Sequence, residues 1–549
     1  MHKERRLLFV AVFAAMTALA GLWSLPPLDR DEARFAQAAA QMLETGDFIS
    51  IRFQDQERNK KPAGIYWLQA ASVAAFSNVE DREIWAYRLP SMAGAILAAI
   101  FTYLTAARLY DRRTGFLAGL LIASAPLVAV EATMAKTDAV LLSLVCLTQL
   151  SLAHIYARLQ EARKAGWRWP VLFWAAQGAS ILIKGPVAPL VSLLTGLGLI
   201  NGKAQHLRIS AMRPVTGVLI LILIVAPWAV AIEIATNGRF FLESISVDLF
   251  EKIGAIQEGH QGLPGYHALF AFALFWPAAA LMIPGLMRVW RERQTWQAWF
   301  LLSWLVPAWL VFELISTKLP HYVLPLYPAL AIIAAHAAVC DAGRITRPQK
   351  LGAGLYAVIG FSAAGLIAIL PVYFNEKSLT LFSLIAAALI VGASILIAFF
   401  FWRGRTEDGT RAAAVLSALY AWVMLTGVLP NLPALAISPR LAVALEQADQ
   451  GLFYDKRLPV AIAGYSEPSA VFLLGGDTIL TNGADAGARL ARGEISAAII
   501  ETDAQADFDR AVMSISDKLS ALAVIDGFNY SKGKLVSLTI YKLKPAKDP

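Results

Sequence analysis

A chain of 549 residues that is 57% hydrophobic and only 16% charged, with a mean hydropathy of +0.56, is too apolar for a water-soluble protein of its size. The formal charge of +8 does not point to nucleic acid, because the Lys and Arg are scattered between hydrophobic runs and form no basic segment. The two cysteines, Cys146 and Cys340, lie far apart in apolar stretches, so neither a disulfide framework nor a cysteine metal site is expected.

The N-terminus is a basic hexapeptide followed by an apolar run to Leu25. Ala18-Leu19-Ala20 looks like a signal cleavage site, but the run is long enough to be a first, uncleaved span. Apolar runs of bilayer-crossing length recur about thirteen times. They cover residues 7–25, 86–107, 115–131, 138–157, 170–183, 186–201, 215–234, 267–287, 297–315, 320–340, 351–373, 379–402 and 412–431. Lys184-Gly185-Pro186 splits the fifth from the sixth. Between the first two spans, residues 26–85 contain a helical pattern over Asp31 to Glu44, with Phe35, Ala38, Ala39 and Met42 on one face, and a second amphipathic stretch over Ile65 to Phe76. Both patterns predict helices lying along the membrane surface.

Alternate loops are basic: Arg5/Arg6, Arg112/Arg113, Arg163/Lys164/Arg168, Lys203/Arg208/Arg213, Arg288/Arg291/Arg293, Arg344/Arg347/Lys350 and Arg403/Arg405/Arg411. The positive-inside rule then places these loops and the N-terminus in the cytoplasm, and an odd number of spans places the tail outside. From Ser438 that tail changes character. It alternates strand (Pro459 to Gly464), helix (Glu467 to Leu474), strand (Thr478 to Thr481), helix (Asp485 to Arg492), strand (Ala497 to Glu501), helix (Ala506 to Lys518) and a hairpin (Leu522 to Tyr541), the pattern of a small α/β domain. The expected fold is therefore an α-helical polytopic membrane domain over residues 1–437 with a periplasmic α/β domain over 438–549. There is no internal repeat, which argues against a transporter or flippase built from symmetric halves.

The informative charges are those at the outer ends of spans: Arg34, Arg58, Lys60, Lys61, Lys136, Lys184 and Lys318, with Asp31, Glu32, Asp138, His260, His321 and Tyr322. Ionisable groups at membrane depth are candidates for function, since leaving them unpaired costs several kcal/mol. Converging on one surface, they would form a basic pocket for an anionic lipid headgroup. Each also has a plain structural reading. Asp31 and Arg34 can be a surface ion pair at a helix start, and Lys60-Lys61-Pro62 an anchor to anionic headgroups. Asp138 can be a helix-end ion pair, and Lys318, His321 and Tyr322 a snorkelling lysine in an aromatic belt.

The motifs resemble the lipid-linked-sugar glycosyltransferases of the GT-C class, which include the protein O-mannosyltransferases and the aminoarabinose transferases that modify lipid A. The matching pieces are Asp31-Glu32-Ala33-Arg34-Phe35-Ala36, Met42-Leu43-Glu44-Thr45-Gly46-Asp47-Phe48, Lys60-Lys61-Pro62 with Tyr66-Trp67, and Arg88-Leu89-Pro90-Ser91. Further on come Ala135-Lys136-Thr137-Asp138-Ala139, Lys184-Gly185-Pro186 and Thr317-Lys318-Leu319-Pro320-His321-Tyr322-Val323-Leu324-Pro325. The pieces run in order from about residue 26 to 330.

The resemblance implies Asp31 at the reaction centre, Arg34 and Lys61 on the lipid phosphate, and Asp138 and Lys184 lining the cavity. Asp31 and Asp138 are thus the catalytic candidates. Arg34, Lys60, Lys61 and Lys184 are the phosphate- and lipid-binding ones, and Glu32, Lys136, His260, Lys318, His321 and Tyr322 the substrate-binding ones. The implied reaction moves a sugar, with inversion at the anomeric carbon, from a polyprenyl-phosphate (undecaprenyl-phosphate) donor to a periplasm-facing acceptor in the bacterial inner membrane. Lipid A or the lipopolysaccharide core is the first acceptor, with a protein as the alternative. No cofactor is required, and no metal site is supported by the sequence. The aminoarabinose transferases carry an acidic residue before the Lys-Pro pair, where this chain has Lys60. Position alone makes the tail domain a lid or an acceptor-docking element.

Overall fold

The computed structural model describes residues 3–201, 206–244, 262–374, 381–449 and 458–544. All thirteen apolar runs are helical, but they are not all equal. Among the described residues, Ile84–Leu109, Asp138–Gln160, Ile209–Ala235, Trp296–Leu314, Pro320–Cys340, Arg347–Tyr373, Leu381–Trp402 and Thr406–Asn431 are long and apolar enough to cross a membrane. Arg112–Ala123 and Pro126–Ala132, bent by 60°, make a ninth span if taken together. The remaining four runs give shorter pieces: Lys3–Ala18, Arg168–Lys184, Val187–Ile200, and Tyr266–Leu274 followed by Trp276–Arg291. Backbone chemistry explains the breaks. Gly185 ends one helix at φ +62° ahead of Pro186, and Pro277 cannot donate across the junction at Phe275.

Small residues set two close approaches between helices. A Cβ on Gly94 would lie 2.6 Å from the carbonyl oxygen of Ala139, so Ile84–Leu109 packs directly on the start of Asp138–Gln160. A Cβ on Gly64 would lie 2.7 Å from the carbonyl oxygen of Leu182, which brings the start of Gly64–Phe76 against the end of Arg168–Lys184.

The segment between the first two spans folds into the helices Asp31–Thr45 and Gly64–Phe76, with a short hairpin, Arg52–Phe53 paired to Gln56–Glu57, between them. The expected surface helix is in fact enclosed. Besides Phe35, Ala38, Ala39 and Met42, it buries Glu32, Ala33, Ala36, Gln37 and Ala40. Its second face is covered by the tail domain, whose helix Pro468–Leu474 packs on it. Around this junction Phe472 stands edge-on to Tyr87 with ring centroids 5.3 Å apart, Arg82 lies over the Phe472 ring, and the Gln54 side chain donates to the carbonyls of Gly476 and Thr478.

The tail forms a five-stranded sheet in the order Ile479–Thr481, Val460–Ala463, Ala497–Glu501, Lys534–Leu543, Leu519–Asn529. The first three strands are parallel and the last two antiparallel. Val460–Ala463 and Ala497–Glu501 are buried on both faces, because Ile437–Asp449 supplies Leu441 and Leu445 to one face and Gly483–Ala491 with Gln505–Ala511 supply Leu490 and Phe508 to the other.

Where this domain meets the first loop, the Asp29 carboxylate accepts from the Ser469 backbone N–H at 2.9 Å, the Asp29 N–H donates to the Tyr530 hydroxyl at 2.6 Å, and Arg30 donates to the Ser531 carbonyl. Burial pushes the Asp29 carboxyl from 3.8 up to about 6. An acid raised in this way binds its proton more tightly folded than unfolded, so its contribution to stability declines as pH climbs from about 4 to about 6 and is flat above that. In thermal unfolding of the purified protein, Asp29→Asn should therefore gain on the wild type between pH 4 and 7. A difference that does not change with pH rejects the assignment.

Candidate active site

At the end of the helix bundle next to the first loop lies a cavity of about 440 Å³. Lys61, Asp138, Lys184, His321 and Tyr322 are its polar wall, and the rest is apolar, including Leu141, Leu190, Phe312 and Leu324. Local structure explains why charges gather here. Asp138 is the first residue of its helix and Lys184 the last of its own, so each sits at the helix end whose dipole favours its sign. His321 and Tyr322 project from the tight turn Pro320–Leu326. Lys61 is carried in by the Gly64–Leu182 contact. These are helix ends rather than helix midpoints, the placement that argues for an interfacial site and against a transport path.

The charges are ordered in a chain. Lys184 Nζ donates to Asp138 Oδ1 at 2.6 Å. Lys136 Nζ lies 2.9 Å from Glu131 Oε1 and 3.8 Å from Asp138 Oδ2. His321 Nε2 is 4.0 Å from Asp138 Oδ1. Asp138 thus has a cation near each oxygen, the geometry of an anchor for Lys184.

Asp31 opens the helix Asp31–Thr45 with its side chain 63% exposed, 4.0 Å from Arg58, whose guanidinium stacks over Phe35. It is not part of the cavity wall, but its charge reaches Lys136 behind that wall. Burial pulls the Lys136 ammonium down, yet Glu131, Asp138 and, farther off, Asp31 hold it well above the usual lysine range. Arg34 is partly buried, and its charge acts on Asp29.

Several candidates land elsewhere. Glu32 is fully buried, and both its oxygens are engaged: it is paired to Arg88 at 2.8 and 2.9 Å and accepts the backbone N–H groups of Ala135 and Leu28. Its contacts are those of an internal clamp. Lys136 is buried against Glu131. Lys318 is buried and donates to the Ile315 carbonyl at 2.7 Å. Of the lysine pair, Lys61 lines the cavity while Lys60 is exposed. His260 lies outside the described residues.

The participant that sequence reasoning missed is Glu131; its one signal was an acid standing alone in an apolar span. Among the described residues, no three His, Cys, Asp or Glu side chains gather where they could hold a metal ion. A second cavity of about 200 Å³, between the first loop and the tail domain, has Asp29 as its only charged lining residue and does not suit an anionic headgroup.

Residues 60–230 match the family described as dolichyl-phosphate-mannose-protein mannosyltransferase. The chain is 29% identical over 440 residues to an undecaprenyl phosphate-alpha-4-amino-4-deoxy-L-arabinose arabinosyl transferase of Pseudomonas aeruginosa, with 77% of each chain covered. In three dimensions it is similar to ArnT from Cupriavidus metallidurans, crystallised bound to undecaprenyl phosphate, with a TM-score of 0.74 at 18% identity over 97% of both chains. It is also similar to the Archaeoglobus fulgidus oligosaccharyltransferase in its apo form, with a TM-score of 0.53 at 12% identity over 95% of this chain and 70% of that one. The first structural likeness spans the helical bundle and the tail domain together.

Proposed function

We propose that this chain, a glycosyltransferase of the GT-C class, transfers a sugar from a polyprenyl-phosphate donor to an acceptor at the periplasmic face of the bacterial inner membrane, with undecaprenyl phosphate as the carrier and lipid A or the lipopolysaccharide core as the acceptor. The observation that carries this reading is the pairing of Lys61 and Lys184 with an apolar cleft in one cavity. A prenyl chain fits the part lined by Leu141, Leu190, Phe312 and Leu324, and its phosphate fits between the two ammonium groups. The name of the Pseudomonas aeruginosa relative and the carrier lipid bound to the Cupriavidus metallidurans protein support the same donor. The basic alternate loops support a cytoplasmic N-terminus, with this end of the bundle and the tail on the periplasmic side.

The reaction is a displacement at the anomeric carbon. The acceptor oxygen forms the new bond, the bond to the phosphate oxygen breaks with inversion, and the phosphate leaves as a monoester carrying an additional negative charge. Lys61 and Lys184 stabilise that developing charge. A preorganised donor at such a place contributes about 3–4 kcal/mol to the transition state. Where the acceptor is a hydroxyl, the exposed Asp31 takes its proton. Where it is an ionised phosphate of lipid A, no base is needed and Asp31 orients the reacting groups.

The test is transfer of labelled sugar from its undecaprenyl-phosphate carrier in proteoliposomes, with lipid A in one arm and a protein acceptor in the other. Leu190→Trp, which fills the apolar cleft without touching a charge, should raise the donor KM about tenfold, the loss that follows from removing about 1.4 kcal/mol of binding. Transfer to lipid A that is indifferent to this substitution would reject the cleft as the donor site. Transfer to the protein alone would move the assignment to the mannosyltransferase type that the match over residues 60–230 resembles.

A further inference from the structure

We propose that Glu131 is a positioning residue: by cancelling the charge of Lys136 it leaves Asp138 to hold Lys184 beside the donor phosphate. The proposal rests on the donor reading given above and extends it to two side chains that line no cavity.

Glu131 stands near the end of the short helix Pro126–Ala132, and Lys136 in the turn that leads to Asp138. Both side chains are almost wholly enclosed, with exposures of 2% and 8%. One Glu131 oxygen accepts from Lys136 at 2.9 Å, and the other has no hydrogen-bond partner among the described residues. A buried carboxylate left half-satisfied is expensive unless its charge is needed. What needs it is Lys136, which has two acidic neighbours: Glu131 in contact, and Asp138 0.9 Å farther away, at 3.8 Å against 2.9 Å. Asp138 in turn is in contact with Lys184 at 2.6 Å. Two carboxylates and two ammonium groups therefore form a neutral quartet, Glu131–Lys136–Asp138–Lys184, of which Asp138 and Lys184 reach the cavity wall beside Lys61 while Glu131 and Lys136 stay behind it.

The order within the quartet has a consequence of definite sign. With Glu131 neutral, the quartet carries one extra positive charge, and Lys136 turns to its other partner, Asp138. Lys184 is then released from Asp138 toward the phosphate. Both effects tighten binding of a phosphate anion, and most of all the more highly charged leaving group, so product release slows. Glu131 thus keeps the site from holding its own product too firmly. If Lys136 were itself a phosphate ligand, its 2.9 Å contact with Glu131 would have to be broken first.

The experiment is equilibrium binding of undecaprenyl phosphate to the purified full-length protein in detergent, with turnover measured alongside. Glu131→Gln should tighten binding about tenfold and lower kcat, and Lys136→Gln should weaken binding by a similar factor. That is the effect of one unit charge at roughly 10 Å through an effective dielectric near 20. The double variant, which removes both charges together and leaves the net charge behind the wall unchanged, should bind within about twofold of the wild type. A double variant as weak as Lys136→Gln shows that Lys136 contacts the phosphate directly and overturns the proposal. So do shifts of the same sign in both single variants. Where a single variant fails to fold, the double variant decides alone, by affinity near that of the wild type or about tenfold below it. Absence of binding by the wild type overturns the donor reading, and the proposal with it. Wild-type binding with the wrong mutational signs overturns the proposal only.

Discussion

Lys61→Ala is expected to lower sugar transfer by at least about a hundredfold, the range seen when one preorganised donor to a developing negative charge is removed, while the protein still inserts and unfolds at the wild-type temperature. Lys61 follows the small hairpin and is held at the cavity wall by the close contact of Gly64 with Leu182, two residues before Lys184. The two ammonium groups therefore reach the cavity from different elements but are fixed relative to one another by backbone packing. Charge at this point acts most strongly when the phosphate leaves, so kcat should fall more than donor KM rises. Lys61→Arg, which keeps the charge and changes its shape, should retain part of the turnover. Radiolabelled transfer in proteoliposomes measures all three. Turnover of Lys61→Ala within a few-fold of the wild type would remove Lys61 from the phosphate site, whatever its effect on affinity.

The sequence made the membrane domain and the strand–helix alternation of the tail legible, since both are written in hydrophobic periodicity. It also singled out Lys61 and Lys184, cations that break the alternation of basic loops, together with Asp138, His321 and Tyr322, and these five line one cavity. Four things were not legible, each for a physical reason. Lys60 and Lys61 sit in the turn that follows the hairpin, where successive side chains diverge, so they look alike in sequence although only one lines the cavity. Glu32 carries the motif position of a substrate ligand, but its partner Arg88 is 56 residues away, and no local pattern announces a pairing of that range. The length of an unbroken helix depends on where Gly185 and the Phe275-Trp276-Pro277 junction break the backbone, which apolar runs alone do not show. The enclosure of Asp31–Thr45 was hidden for a related reason, since its second apolar face meets a helix more than 400 residues later, Pro468–Leu474.

Arg88→Met should be the most destabilising single change at the end of the bundle that carries the first loop. The Arg88 side chain is fully buried in the span Ile84–Leu109 and donates to both Glu32 oxygens and to the carbonyls of Leu22, Leu25 and Pro26. Glu32 in turn accepts the N–H groups of Leu28 and Ala135. One ion pair thereby joins the end of the first helix, the helix that carries Asp31, a membrane span and the turn that carries Lys136. Removing the cation leaves a carboxylate and three carbonyls without their donor in a place water does not reach, and breaking a buried pair from one side costs about 3–5 kcal/mol. Replacing both partners removes the orphaned charge, so Glu32→Gln combined with Arg88→Met should recover part of the unfolding temperature lost by Arg88→Met alone. Activity should recover less, because a neutral amide in place of the Glu32 carboxylate is a weaker acceptor for the Ala135 N–H, and the turn ahead of Asp138 loosens. Thermal unfolding in detergent and transfer assays on the same preparations separate the two readouts. An Arg88→Met protein that unfolds at the wild-type temperature would show that the clamp does not hold the first loop in place.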